Sequence, residues 1–565
     1  MPSRPLPPLP LSFPLLCPPP SPIILAMGPS ARSTPYAAQR SSSASWSHNT
    51  HAIPPGLDRI KDHLSFTSSQ GPFDLEESLF NSKGRKPWSW SRIKRLYKRQ
   101  TRPVRLATAL SGGIVCLYIL SFLLLGQRGS NTAAGRFLFQ QQDSRILSRQ
   151  LRAKNIVCNP RISQPLPLPP KVLSNGTHDF DPTVIVLSFD GLRADYLSRG
   201  HTPNILSVGT SGVVAEYMQP SFPTLTFPNH YTMGTGLFPS SHGIVANMFY
   251  DPTLDEDFNY RIPDKSWDPK WWGGEPIWET AVLQNQRSGV IMWPGGESLR
   301  PVRPTYHVRY RSNTPVAEKM DTLLAWLDRP REERPTVMNV YISEVDTAGH
   351  NYGPDSKRCQ RALAEVDTAV GILMDGLRQR GLDKVVNLLL VSDHGMSYVT
   401  PTQSIYYDDY IDPSELLLEE SLQPHLAIRP KDPKRLDHIY KTLKSAQEKH
   451  NLQFKVYKRH EIPERYNYAH HPRIAPVVAI AEPGFVMTRR DMGIAVVGVH
   501  GWDHEAEEMR AIFMASGPSF PSHGPEKLQA LENVELYEVI ARTVGLQVKE
   551  GATDGVRNGY VSRPC

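Results

Sequence analysis

Thr183-Val-Ile-Val-Leu-Ser-Phe-Asp190-Gly191 decides the fold: an uncharged run of seven residues leads straight into a carboxylate and a glycine. A strand with one wet face would alternate polar and apolar residues. A short continuous apolar run instead marks a strand buried on both faces, as in a parallel sheet covered by helices. The same pattern recurs at Val337–Ile342 and at Val385–Val391, and Ala511–Ala515 is a further apolar strand. Between the second and third runs, Leu363, Val366, Val370, Leu373 and Leu377 fall at helical spacing, and Gly381 supplies the C-terminal stop. Strand, helix and strand in this rhythm predict an α/β sandwich with a mostly parallel central sheet.

The acids at the ends of these runs carry the chemistry. Asp190, Asp346 and Asp393 each follow a predicted strand at its C-terminal end, the edge of an open α/β sheet where ligands bind. Alone, Asp-Gly reads as a turn and Asp-His-Gly as a polar loop; turns do not put three such acids on one edge. The neighbouring motifs add His350 (Asp346-Thr-Ala-Gly-His350), His394 (Asp393-His394-Gly395) and His500 (Gly498-Val-His500-Gly501). Three Asp and three His can hold a pair of divalent cations, and carboxylate oxygen with imidazole nitrogen suits a borderline ion such as zinc. Two metals can clamp the attacking and leaving oxygens of an in-line displacement. One hydroxyl is left over, that of Thr226 in Pro223-Thr-Leu-Thr226-Phe-Pro-Asn-His230, and a coordinated metal can make it a nucleophile.

Longer motifs surround these residues: Phe222-Pro-Thr-Leu-Thr-Phe-Pro-Asn-His-Tyr231, Thr235-Gly-Leu-Phe-Pro-Ser-Ser-His-Gly243, Gly274-Glu-Pro-Ile-Trp278, Trp293-Pro-Gly295, Asp346-Thr-Ala-Gly-His-Asn-Tyr-Gly-Pro354, Ser392-Asp-His-Gly-Met396 and His500-Gly-Trp-Asp503. From about residue 182 to 546 the chain resembles the nucleotide pyrophosphatase/phosphodiesterases of the alkaline phosphatase superfamily. The resemblance implies an alkaline-phosphatase-like sandwich, two Zn²⁺ ions and small-molecule nucleotide substrates. It implies that Asp190, Thr226, Asp393 and His394 hold one zinc, with Thr226 as covalent nucleophile. Asp346, His350 and His500 would hold the other, which activates the water that cleaves a phosphothreonine intermediate. Asn247 is similar to the family's donor to a non-bridging phosphoryl oxygen, a contact typically worth ~3 kcal/mol. Phe227 and Tyr310 fall where nucleotide-preferring relatives sandwich the base, and a stacked base contributes ~1–3 kcal/mol. The pattern departs at Leu225 and Met248, where some relatives carry lysines that meet distal phosphates, and at His504, where Asn is common. His230 and His242 read as structural or supporting residues, and Trp267, Trp271, Trp272 and Trp278 as packing.

Outside that region the composition changes. The chain of 565 residues carries a net charge of +7, yet residues 1–105 alone hold fifteen Lys/Arg against five Asp/Glu. The remainder is close to neutral, so no specific duplex nucleic-acid binding is expected, and the basic tail reads as a topology signal. Leu106–Gly126 is 21 residues without a charge, long enough as a helix to cross a ~30 Å hydrocarbon layer. Ten Lys/Arg lie between Lys83 and Arg105, while Arg128 and Arg136 follow the span. The positive-inside rule then predicts a single-pass type II membrane protein, N-terminus cytosolic and catalytic domain extracellular or lumenal. The expected layout is a largely disordered basic tail (1–105), a transmembrane helix (106–126), a stalk (127–181), the catalytic domain (182–546) and a C-terminal tail (547–565). Asn175-Gly-Thr177 is a glycosylation sequon just beyond the stalk's proline-rich part. Cys158, Cys359 and Cys565 are an odd number on the far side, so this is no disulfide scaffold.

Two other functions fit part of this pattern. A phosphodiesterase acting on choline-type (lyso)phospholipids would use the same ligands but needs an acyl-chain pocket and a choline cage. A non-catalytic membrane-anchored binding protein would tolerate loss of a ligand or the nucleophile, and all seven positions are present. Thr226 excludes a sulfatase, whose nucleophile derives from Cys or Ser.

Overall fold

Every residue of β1 (Thr183–Phe189) is buried, as a strand covered on both faces must be. The computed structural model describes residues 172–417, 423–493, 496–520 and 527–555. After β1 the principal elements are α1 (Pro203–Thr210), β2 (Val213–Val214), α2 (Thr226–Thr235), the hairpin β3 (Met248–Asp251) and β4 (Glu256–Asn259), α3 (Ile277–Leu283), β5 (Ser288–Ile291) and β6 (Tyr306–Val308). There follow α4 (Val316–Leu327), β7 (Val337–Ile342), α5 (Glu344–Tyr352), α6 (Lys357–Gln379), β8 (Val386–Val391), β9 (Leu426–Ile428), α7 (Leu436–His450), β10 (Phe454–Lys458), β11 (Val477–Ala481), β12 (Phe513–Ser516) and α8 (Leu536–Thr543).

The central sheet has the order β2-β12-β8-β1-β7-β5-β6. From β8 to β6 its neighbours are parallel, whereas β12 runs antiparallel to β8 and β2 antiparallel to β12. The sheet is therefore mostly parallel, as the sequence predicted, and mixed only at one edge, where β12 runs against its two neighbours. Side chains alternate across β1: Val184 and Val186 join one apolar core, Ile185, Leu187 and Phe189 another. The second core takes the inner face of α6, including Leu363, Val366, Val370, Leu373 and Leu377. Burying each such side chain contributes about 1.5–3 kcal/mol, which fixes α6 against the sheet. Between β8 and β12 the chain builds a smaller lobe on the antiparallel sheet β9-β11-β10, with α7 packed in a third core.

Register carries the active edge. Ile342 lies opposite Phe189 and Val391 opposite Ser188, so β7, β1 and β8 end level. Asp190 and Asp393 leave the sheet there directly. Asp346 departs from the expectation: it sits beyond the strand end, in the first turn of α5. The strand expected at Ala511–Ala515 begins two residues later, because Ala511 is bridged to Met218 outside the sheet.

Residues 172–181, at the end of the segment read as a stalk, form a short pairing of Leu173–Ser174 with Asp179–Phe180. Phe180 is buried under the Arg334 guanidinium, 3.8 Å from its ring centroid. Trp271, Trp272 and Trp278 pack in the core. Cys359 is buried and forms no disulfide among the described residues. The basic tail, the span at Leu106–Gly126, most of the stalk, Cys158 and Cys565 lie outside the described residues. Among the described residues no helix is long and apolar enough to cross a membrane.

Candidate active site

Three imidazoles converge on the level strand ends, and backbone carbonyls orient all three. The Nδ1 of His350 lies 2.8 Å from the Gly498 carbonyl, that of His394 2.9 Å from Gly395, and that of His500 2.8 Å from Thr224. A carbonyl only accepts, so each Nδ1 carries the hydrogen and each Nε2 presents a lone pair inward. His350 Nε2 and His500 Nε2 are 3.1 Å apart, and the His394 and His500 rings stack with centroids 3.6 Å apart.

Carboxylates meet these lone pairs. Asp346 Oδ1 is 3.4 Å from His350 Nε2 and 3.5 Å from His500 Nε2. His394 Nε2 lies 3.3 Å from Asp190 Oδ1 and 3.1 Å from Asp393 Oδ2. Asp190 Oδ1 and Asp346 Oδ1 are buried oxygens with no hydrogen-bond donor, and Asp393 Oδ2, also buried, has only the 3.2 Å contact from His230 Nδ1. Acceptors facing acceptors in a buried space repel unless a cation or a shared proton lies between them. Two ligand groups emerge, Asp346–His350–His500 and Asp190–Asp346–His394, each with its donor atoms within 4.8 Å of one another. These residues fit divalent metal. Asp346 belongs to both groups, where the resemblance implied only one.

The charges state the same need. Burial, and then Asp346 and Asp393, push the Asp190 carboxyl well above the usual range. Burial also raises Asp346. At Asp393 burial opposes the charge but His394 and His230 overcome it, holding its carboxyl well below the usual range. Burial, with His394 and His350 beside it, keeps His500 neutral. A dication replaces this repulsion by attraction.

Thr226 opens α2, and its Oγ1 is 3.4 Å from His394 Nε2. At the first helical residue its hydroxyl stands at the positive end of the helix dipole, which favours developing negative charge. Asn247, just before β3, accepts from the Phe227 N–H through Oδ1 at 3.0 Å, which aims its Nδ2 donors elsewhere. The half-buried Phe227 ring contacts Tyr260 at 4.9 Å between centroids, and Tyr310 contacts Tyr341 at 6.3 Å.

Two supporting residues complete the arrangement. His230 reaches the Thr226 carbonyl (3.0 Å) and Asp393 Oδ2 (3.2 Å) through Nδ1, and Ser188 Oγ (2.9 Å) through Nε2. It thereby ties β1, the α2 start and a candidate ligand together. The Tyr341 hydroxyl donates to Asp190 Oδ2. Sequence reasoning passed over Tyr341, whose only signal was a polar tip inside an apolar strand, and Tyr260, which had none. His242 instead bonds Thr232 Oγ1 at 3.0 Å, and His504 stands outside both ligand groups.

A family model described as type I phosphodiesterase / nucleotide pyrophosphatase matches residues 184–503. The chain is 39% identical over 396 residues to an uncharacterized pyrophosphatase/phosphodiesterase of Schizosaccharomyces pombe, covering 68% of this chain and 81% of that protein. It is 36% identical to ectonucleotide pyrophosphatase/phosphodiesterase family member 3 of Bos taurus over 68% of this chain. There it spans 44% of the relative's length, and it spans 45% of a Macrovipera lebetinus venom phosphodiesterase. Among solved structures, murine ectonucleotide pyrophosphatase/phosphodiesterase 5, an inactive Thr-to-Ala variant in complex with AMP, is similar at TM-score 0.62 and 32% identity. That match covers 66% of this chain and 97% of the murine chain.

Proposed function

The chain belongs to the type I phosphodiesterase / nucleotide pyrophosphatase family, whose members are hydrolases, and on that premise we propose that it splits nucleotide phosphodiester and pyrophosphate bonds to release nucleoside 5′-monophosphates. The observation that carries this reading is the Thr226 hydroxyl beside inward-facing imidazole and carboxylate lone pairs. Asp190, Thr226, Asp393 and His394 would hold one Zn²⁺, and Asp346, His350 and His500 the other, with Asp346 close to both. When bound, such ions lower the pKa of a coordinated hydroxyl or water and screen phosphoryl charge.

The chain's own residues do the rest. Thr226 Oγ1, giving up its proton to solvent, attacks phosphorus in line, and the leaving alkoxide or phosphate departs opposite and takes up a proton. The resulting phosphothreonine, its phosphoryl group still esterified to the nucleoside, is cleaved by water, which restores the hydroxyl and frees the nucleoside 5′-monophosphate. Asn247 Nδ2 donates to a non-bridging oxygen as charge builds, and the α2 N-terminus adds its dipole. Phe227 and Tyr310 hold the base. The type II membrane topology, with the basic tail cytosolic, belongs to the same proposal and rests on the charge asymmetry about Leu106–Gly126.

The test compares turnover of a nucleoside 5′-monophosphate p-nitrophenyl ester with that of p-nitrophenyl phosphocholine, using the full-length chain with added zinc. Faster release from the nucleotide ester is the expected result. Preference for the choline ester would move the protein to lipid substrates. Silence on both with zinc bound would leave a scaffold.

A further inference from the structure

A buried lysine grips the turn that carries a candidate metal ligand. The face of α4 that packs into the core presents Val316, Met320, Leu323 and Leu327, and Lys319 lies among them with its side chain only 3% exposed. An ammonium taken out of water costs several kcal/mol unless its partners are well placed. Lys319 Nζ donates to the Tyr341 carbonyl at 3.1 Å and lies 3.7 Å from Glu344 Oε1. Burial pulls the Lys319 pKa down, and the Glu344 carboxylate opposes the fall.

Both partners sit where the chain leaves the sheet. Successive carbonyls of a strand point to opposite neighbours, and Ile342 gives its own to the Asp190 N–H on β1. The Tyr341 carbonyl therefore faces β5, whose pairing has already stopped at Ile291 opposite Val340. The ammonium fills the place that β5 leaves open. Glu344 is the first residue of α5, where a carboxylate suits the helix dipole, and Asp346 follows two residues later. Lys319 thus clasps the turn from β7 to α5 at both ends. Two candidate ligands depend on that turn. Asp346 rides on α5, with its N–H on the Asp190 carbonyl at 3.0 Å, and the Tyr341 hydroxyl at the end of β7 donates to Asp190 Oδ2.

We propose that Lys319 is a positioning residue for the metal centre: by holding the Tyr341 carbonyl and the Glu344 carboxylate together it sets Asp346 and, through the Tyr341 hydroxyl, Asp190 where they meet metal. This rests on the metal-dependent reading above. A lysine that only offset the Glu344 charge would matter to stability alone. A lysine that sets the turn matters to metal affinity even in a chain whose stability has been restored.

The experiment measures zinc affinity, by competition with a chromophoric chelator, and the metal-free melting temperature of the full-length chain in wild type, Lys319→Met and the double variant Lys319→Met/Glu344→Gln. The single variant leaves a carboxylate without its cation, so its melting temperature should fall and its zinc affinity should weaken about tenfold, the low end for losing a partner behind a ligand. Removing both members of a buried ion pair is often neutral for stability. The double variant should therefore melt close to wild type and still bind zinc about tenfold more weakly. Zinc affinity that returns together with the melting temperature, or that never falls, would overturn the inference. Should Lys319→Met fail to fold, the double variant decides alone: weakened binding supports the inference and wild-type binding overturns it. A wild-type chain that binds no zinc would overturn the metal reading as well, and the wild-type row alone separates these cases.

Discussion

Where the imidazoles point is decided one atom away from the chemistry: carbonyls of Gly498, Gly395 and Thr224 take the Nδ1 hydrogens of His350, His394 and His500. Tyr341 does the equivalent work for a carboxylate by occupying Asp190 Oδ2 and leaving Oδ1, on the proposed reading, to face a metal. Tyr341→Phe should therefore weaken zinc binding by ~10–100-fold, the usual effect of losing a partner behind a ligand. Competition with a chromophoric chelator measures it, and unchanged affinity would mean that the hydrogen bond does not orient Asp190. Thr226→Ala should cut turnover by at least ~10³-fold through loss of the proposed nucleophile. It should also abolish labelling of the protein by radioactive substrate while metal content stays above half of wild type. The seven candidate site residues, Thr226 among them, were legible because each sets an unusual side chain in a recognisable motif. Tyr341 was not, because its role depends on its pairing with Ser188 across two strands far apart in sequence.

At the scale of elements, the strands were legible from their unbroken apolar runs, and α6 from its stripe. The start of α6 was not: the helix begins at Lys357, where the Ser356 side chain caps the Cys359 N–H, ahead of the first apolar position. Nor did the sequence show what holds the loops of the substrate side. There the Arg473 guanidinium, 8% exposed, binds the Asp251 carboxylate at 2.7 Å and the carbonyls of Gly243 and Trp271. Asp251 ends β3, so this pair anchors the hairpin that carries Asn247 and Tyr260. Arg473→Ala leaves that carboxylate buried without its cation and should cost about 3–5 kcal/mol in urea unfolding; a loss below about 1 kcal/mol would show that water reaches the pair. A second tie joins the His500–Asp503 loop to residues 464–466, through Arg465 and Tyr466 to Asp503. Burial opposes the Asp503 charge, but Arg465 and the Glu505 N–H bring its pKa down to about 2 from 3.8. A depressed carboxyl stabilises the fold above its unfolded pKa and loses that contribution as pH falls through the folded one. The stability gap between wild type and Asp503→Asn should then be constant from pH 7 to 5 and shrink between pH 4 and about 2. A gap that widens on acidification would reverse the assignment.

Across the whole molecule, the candidate ligands come from segments as far apart as Asp190 and His500, on the main sheet, on α5 and on the loop after the smaller lobe. Bringing three carboxylates together in a buried space costs stability unless something offsets it, as the raised Asp190 and Asp346 pKa values indicate. Metal bound only by the folded chain would offset it, and at 1,000 times its Kd a ligand contributes about 4 kcal/mol. For a domain of about 365 residues, whose unfolding entropy is about 2.1 cal/mol/K per residue, that corresponds to a melting temperature roughly 5 °C higher. Chelation should therefore lower the melting temperature by that order, and zinc should restore it. Asp346→Asn separates this from a general effect of chelator, because Asp346 stands in both ligand groups. The variant removes one repelling charge and the shared ligand at once, so its metal-free melting temperature should lie above that of metal-free wild type, and added zinc should raise it much less. If metal-free wild type and variant melt together, the three acids do not repel in the folded chain, and the metal's role is confined to chemistry.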